Sequence, residues 1–142
     1  NETAPEPDLL PSDPVGRARV RQICQIFIAD AHPLIVPRVR SYLMKELGHS
    51  ETEMIAWVQN WLGLANEAVE SVLLNSTKTG KFCHGDTVTL ADLCLVPQIQ
   101  GSILFKCEMS GVPKLMKVFE ECMQLDAFQK AHPKNQPDFQ AE

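Results

Sequence analysis

Two side chains in the stretch HGDTVTLADLCLVPQ, His84 to Gln98, have types and spacing that could do chemistry: Thr89 and Asp92, a hydroxyl and a carboxylate three positions apart. As a catalytic pair they would need a base to take the hydroxyl proton, and no His or Lys lies between Gly85 and Phe105. The same spacing is that of a helix cap. The Thr89 oxygen can accept from an amide two or three residues on, Asp92 can accept from the Thr89 amide, and Val88 and Leu93 stand where a hydrophobic staple forms. Asp92 also places negative charge at the positive end of the helix dipole, favourable by up to about 1 kcal/mol. The structural cap uses both side chains, so Thr89 and Asp92 are expected to start a helix rather than to act on a substrate.

That helix runs from Leu90 to about Phe105 and is apolar nearly all round: Leu93, Cys94, Leu95, Val96, Ile99, Ile103 and Leu104. Such a helix belongs in the middle of a domain, and its first amides must find partners within the chain. Pro97 predicts a local bend.

The elements that position it are also helical. Asp13-Pro14 is an N-cap followed by Pro at the first helical position, and Val20, Ile23, Cys24, Phe27 and Ala31 make one face of a helix from Pro14 to Ala31. Pro33 and Pro37 predict a kink or short break, after which helix resumes to Leu47 and closes at Gly48. Ser50 to Glu53, SETE, is a capping box. The helix after it carries Met54, Val58, Trp61, Ala65, Ala68 and Val72 and ends near Leu74. Trp57 and Trp61, one turn apart, read as core or interface packing. A polar loop, NSTKTGKFCHGD, leads back to the quoted segment. Leu115, Val118, Phe119, Cys122 and Leu125 face inward from a later helix, DAFQKAH forms a short helical turn, and Pro133 stops it.

No alternating strand pattern and no internal repeat is present. The expected fold is all-α, a bundle of about five helices. Residues 1–13 read as a linker or extended arm, 14–132 as the helical domain, and 133–142 as a polar tail.

At 142 residues, with 44% hydrophobic and 22% charged residues, the composition is that of one ordinary globular domain. A net charge of -5 gives no general attraction to nucleic acid or anionic membranes. Among Arg17, Arg19 and Arg21, with Arg38 and Arg40 further on, Arg17 and Arg19 are two apart on a helix and do not form one stripe, so the group reads as a solvated, charged helix face. The five cysteines include no C-x-x-C pair, which fits buried free thiols in a reducing, cytoplasmic setting. Cys83-His84 has no second pair at ligand spacing, so no metal is expected and a surface turn is preferred. No apolar run reaches the roughly 20 residues of a membrane span. The start lacks the features of a signal peptide and an initiator Met, and reads as part of a longer or processed chain.

The capping segment GDTVTLADLCLVPQ resembles the start of the central helix in the C-terminal domain of glutathione transferases. LADLCLVPQ, with LLPSDPVGRARVR before it and LDAFQKAHPKNQPD near the end, is similar to the zeta class, the maleylacetoacetate isomerases. The resemblance spans about Leu10 to Asp138. It implies a glutathione-dependent enzyme in which a thioredoxin-like N-terminal domain binds most of the glutathione and carries a Ser/Cys motif. No SSCSWR-like motif occurs in these 142 residues, so no catalytic residue is assigned to this chain, and alone it is expected to be inactive.

The resemblance also implies roles for particular residues. His32-Pro33-Leu34 matches a Gln/His-Pro-Leu element that approaches glutathione, and Arg38 and Val39 match the Arg-Val that follows it; Ile35, Val36 and Pro37 depart from the family's Asn-Asn-Leu. His32 and Arg38 are therefore the candidate glutathione-binding residues. Leu104 stands where many zeta enzymes have an Arg directed at substrate carboxylates. The implied reaction is isomerisation of a small electrophile in a homodimer, as in aromatic amino acid breakdown. The alternative is a non-catalytic interaction module, a use to which this superfamily's helical domains are put in translation factors and aminoacyl-tRNA synthetases.

Overall fold

The computed structural model describes residues 6–139, and among them every regular element is helical. Helix α1 is Pro14–Gln25. Asp13 caps it, accepting from the Gly16 N–H at 2.8 Å. The rod then continues as a π-helical stretch, Ile26–Ala31, followed by the short α2, His32–Ile35. At the junction the His32 N–H donates to the Phe27 carbonyl, five residues back. Pro33 accounts for the wider turn, because it has no amide and its ring crowds the carbonyl four residues earlier. Val20, Ile23, Cys24, Phe27 and Ala31 stay buried through it.

Val36 is extended, and α3 follows at Pro37–Lys45. This break deprives the Leu34 carbonyl of a helical partner, and Trp57 Nε1 donates to it at 2.8 Å. The Trp57 ring meets Trp61 edge to face, with centroids 5.7 Å apart. Gly48, at φ +73°, takes the left-handed conformation that a side chain would resist, and closes the region.

Ser50 and Glu53 complete a reciprocal capping box on α4, Glu51–Leu74. The buried face of α4 is Met54, Val58, Leu62, Ala65, Asn66, Val69, Glu70 and Leu73. Trp61 and Val72, expected there, are half-buried and Ala68 is exposed. The face is turned because it includes two polar residues that find partners inside. Asn66 Nδ2 donates to Ser102 Oγ at 3.0 Å. The Glu70 carboxylate accepts from the Lys114 and Leu115 amides at 3.0 and 2.6 Å. It thereby caps α6, Pro113–Met123, whose N-cap Val112 has no side-chain acceptor.

Helix α5, Leu90–Leu104, packs against α1, the π-helical stretch, α4 and α6. Leu95, Val96 and Ile99 lie in the main core. Burial all round does not hold: Leu93, Ile103 and Leu104 are 40%, 51% and 74% exposed, while Gln98 and Ser102 are buried. A second cluster, Leu43, Met54, Val58 and Leu62, joins α3 to α4. Helix α7 is Asp126–Ala131, and a 3-10 turn at Pro133–Asn135 follows. The tail folds back on it, with Asn135 and Gln136 side-chain amides donating to the Gln129 and Lys130 carbonyls.

Arg19 and Cys83 correct two expectations. The Arg19 guanidinium is half-buried and donates to the Cys83 carbonyl and to Thr79 Oγ1, holding the loop between α4 and α5 onto α1. Phe82 and Cys83 are in the core rather than on a surface turn. In physical terms, a guanidinium fork satisfies several loop acceptors at once, so one Arg of the series leaves solvent. No helix among the described residues is long and apolar enough to cross a membrane.

Candidate functional site

Asp92 is fully buried. Its Oδ2 accepts from the Thr89 amide at 2.7 Å and the Thr89 hydroxyl at 2.9 Å, and its Oδ1 accepts from the Cys83 amide at 2.8 Å. The hydroxyl therefore donates to the carboxylate, and the Asp92 N–H bonds the Thr89 carbonyl at 3.1 Å. The arm supplies one more acceptor: the Leu9 carbonyl takes the Leu90 N–H at 2.9 Å. Thr89 and Asp92 form a joint between loop, arm and helix, with both side chains turned inward.

A second polar group of α5, also buried, lies six residues after Asp92 and contacts an exposed side chain of the first rod. Gln98, 7% exposed, donates from Nε2 to His32 Nδ1 at 3.0 Å. An amide N–H can only donate, so Nδ1 accepts and the ring proton resides on Nε2. The π-helical turn sets the angle at which His32, itself exposed, leaves the first rod. Beneath this pair, the Ser102 hydroxyl donates to the Gln98 carbonyl at 3.0 Å and receives the Asn66 amide. A chain of hydrogen bonds thus runs from α4 through α5 to His32. Gln98 is a functional candidate absent from the sequence-based assignment; its signal was a Gln directly after Pro97 in an otherwise apolar stretch that also holds Gln100.

Arg38 is exposed near the start of α3. Among the described residues no hydrogen bond or ion pair joins it to His32, so the structure does not bring the two candidates together. Arg40 makes the link from α3 to α5: its guanidinium lies 5.2 Å from the centroid of the Phe105 ring. Leu104, next to that ring in sequence, points outward.

The outer side of α5 continues into an apolar groove of about 740 Å³, bounded by Pro7, Leu9, Val88, Leu93, Leu125 and Phe128. A neighbouring cavity of about 330 Å³ shares Leu93 and Phe128 and is walled by Pro97 and Gln100. The capping loop offers no reactive thiol: burial, with Asp92 alongside, pushes the Cys83 thiol up, and burial raises Cys122 to about 12. Among the described residues no three His, Cys, Asp or Glu side chains gather as a metal site. The groove can hold an apolar molecule; apart from it, the His32–Gln98 pair offers a polar contact at the kink of the first rod, and Arg38 a charge near the start of α3.

Residues 64–126 match the family model described as glutathione S-transferase, C-terminal domain. Maleylpyruvate isomerase of a Ralstonia species is 39% identical over 137 residues, covering 96% of this chain and 65% of that protein. The holo structure of a maleyl pyruvate isomerase, a bacterial zeta-class glutathione transferase, superposes with a TM-score of 0.96 at 39% identity, over 98% of this chain and 66% of that one. Maleylpyruvate isomerase from Pseudomonas aeruginosa PAO1 gives 0.93 at 32% identity, over 98% and 72%. This chain spans between 52% and 65% of the length of the first curated relatives it matches. Family model, relatives and fold agree: the chain belongs to the glutathione transferases, as a C-terminal helical domain of the zeta class.

Proposed function

We propose that this domain forms the electrophile-pocket wall of a glutathione-dependent cis-trans isomerase of the maleylacetoacetate or maleylpyruvate type. The observation that carries the reading is the His32–Gln98 pair, set at the kink of the first rod beside the apolar face of α5. A thioredoxin-like domain, seated against that face, would hold most of the glutathione in a cytoplasmic homodimer. Bound glutathione supplies the thiolate that adds to a cis-enone and is expelled after rotation about the transient single bond.

This chain's own residues bind and orient. With Nδ1 occupied by Gln98, His32 offers an Nε2–H donor to a carboxylate or carbonyl of glutathione, and the chain of hydrogen bonds behind it fixes the ring. Arg38 supplies positive charge on the same kinked segment. Leu104, exposed at the end of α5, stands where the resemblance implies an Arg, so this position adds no cation for a substrate carboxylate and binding of a dicarboxylic substrate would be weaker for it.

The test joins the chain to the thioredoxin-like domain of the Ralstonia relative and measures glutathione binding and glutathione-dependent isomerisation of maleylpyruvate. The reading expects binding that weakens by about 2- to 10-fold in His32→Ala, the value of one hydrogen bond. A well-folded fusion that binds glutathione without isomerising would favour the interaction-module alternative. Unchanged affinity in His32→Ala would remove that residue from the site.

A further inference from the structure

Arg19 and Arg40 are both half-buried, with opposite outcomes. The Arg19 guanidinium meets the Cys83 and Val72 carbonyls and Thr79 Oγ1. Arg40 has no such set: among the described residues nothing accepts a hydrogen bond from its guanidinium or forms an ion pair with it. Its Nε is enclosed without an acceptor, while the terminal nitrogens stay open to solvent. What holds the group is the Phe105 ring, whose centroid lies 5.2 Å from Cζ. Phe105 is itself tied down, because Gln59 Nε2 donates to its carbonyl at 2.8 Å. The result is a positioned fork, partly withdrawn from water, with no carboxylate to answer it.

The surroundings favour an anion there. No Asp or Glu occurs from Ala31 to Lys45 or from Leu93 to Cys107, the two segments that meet at Arg40 and Phe105, although the whole chain carries a net charge of -5. Arg38, Lys45 and Lys106 belong to the same segments, and the stretch of α4 from Met54 to Asn66 is uncharged. On an acidic chain this is a local positive field. Phe105 also stands seven residues beyond Gln98, so it shares the face of α5 that meets His32, two turns on and about 10 Å along the axis. The His32–Gln98 pair and Arg40 thus mark two ends of one helix face.

We infer that Arg40 binds a carboxylate of the small electrophile, supplying from α3 the cation that Leu104 does not supply from α5. The inference rests on the reading of this domain as an electrophile-pocket wall. A guanidinium fork gives a carboxylate two parallel N–H donors, and the enclosed Nε shares in that pairing once an oxygen arrives beside it. Glutathione carries carboxylates as well, but its proposed contact, His32, lies before the extended residue Val36 and Arg40 lies after it. The two ends therefore take different molecules.

The chain itself is titrated with maleate at constant ionic strength, with the Arg40 Nε–H followed by NMR. The signal should shift and saturate, and maleate binding should be lost in Arg40→Leu, which keeps an apolar contact for Phe105. An unmoved signal, or equal maleate affinity in the variant, would overturn the inference and leave the glutathione reading intact. In the fusion with the thioredoxin-like domain, Arg40→Leu should raise KM for maleylpyruvate about tenfold with kcat and glutathione affinity unchanged, the loss of one charge-assisted contact. Arg40→Lys, which keeps the charge and loses the fork, should fall between the two. Weaker glutathione binding at unchanged KM would give Arg40 to glutathione and overturn the inference as well. A parent fusion without isomerase activity counts against the isomerase reading alone, since the maleate titration still decides Arg40.

Discussion

Replacing Asp92 by Ala should unfold the junction from which α5 starts, and the structure sets the size of the effect. The carboxylate accepts from the Thr89 amide, the Thr89 hydroxyl and the Cys83 amide, all in the protein interior. Loss of the cap costs about 1 kcal/mol. The Cys83 amide, left buried without its acceptor, adds about 1 to 3 kcal/mol, so the total is about 2 to 4 kcal/mol. For a chain of this length that is a fall in melting temperature of about 6 to 12 °C. Thr89→Val is the control, because it removes the hydroxyl and keeps both amide contacts; it should cost about 1 kcal/mol or less. Urea unfolding followed by circular dichroism at equal protein concentration measures both. A loss below about 0.5 kcal/mol for Asp92→Ala, or equal losses for the two variants, would refute the assignment of Asp92 as a three-way acceptor.

Three further outcomes follow from the same packing. Glu70→Ala should destabilise by about 2 to 4 kcal/mol, since it orphans the two first amides of α6, and amide exchange at Leu115 should quicken before that of Leu95. Arg19→Ala should raise hydrogen exchange in the loop between α4 and α5, and Arg19→Lys should not restore it, because an ammonium cannot span the Cys83 carbonyl and Thr79 hydroxyl as a fork does. Backbone N–H groups of Gly16 and Ser50 hold the Asp13 and Glu53 carboxyls below their ordinary values of 3.8 and 4.5. A depressed carboxyl stabilises above its unfolded value and loses that contribution as pH falls through its folded value. The contribution of these two caps should therefore be present above about pH 4.5 and decline below it, and Asp13→Asn with Glu53→Gln should make the acid-side decline shallower than in the parent in an acid titration.

The helical class, the caps at Asp13, Ser50 and Thr89, and the first rod's stripe were legible because each is local: a spacing of three or four residues within one element. The site was less so. His32 stood out through its resemblance to the family, but its partner Gln98 is 66 residues away, and only the packing of α5 on the first rod brings them together. The buried face of α4 was misphased for a related reason. Asn66 and Glu70 look like solvent residues until Ser102 and the start of α6 supply their partners. Arg19 and Cys83 were misread likewise, since a loop's burial depends on what reaches over it. The exposed Leu93, Ile103 and Leu104 show the converse: an apolar helix face is legible as apolar, but what covers it is not written in the helix itself.

The most direct measurement uses the fusion with a thioredoxin-like domain, titrated with glutathione and followed by NMR at the Gln98 side-chain amide and the His32 ring. The account predicts that both signals move and saturate at the same glutathione concentration, while the buried Leu115 amide, held by Glu70 at the start of α6, stays in place. Glutathione binding that saturates with His32 and Gln98 unmoved would contradict it.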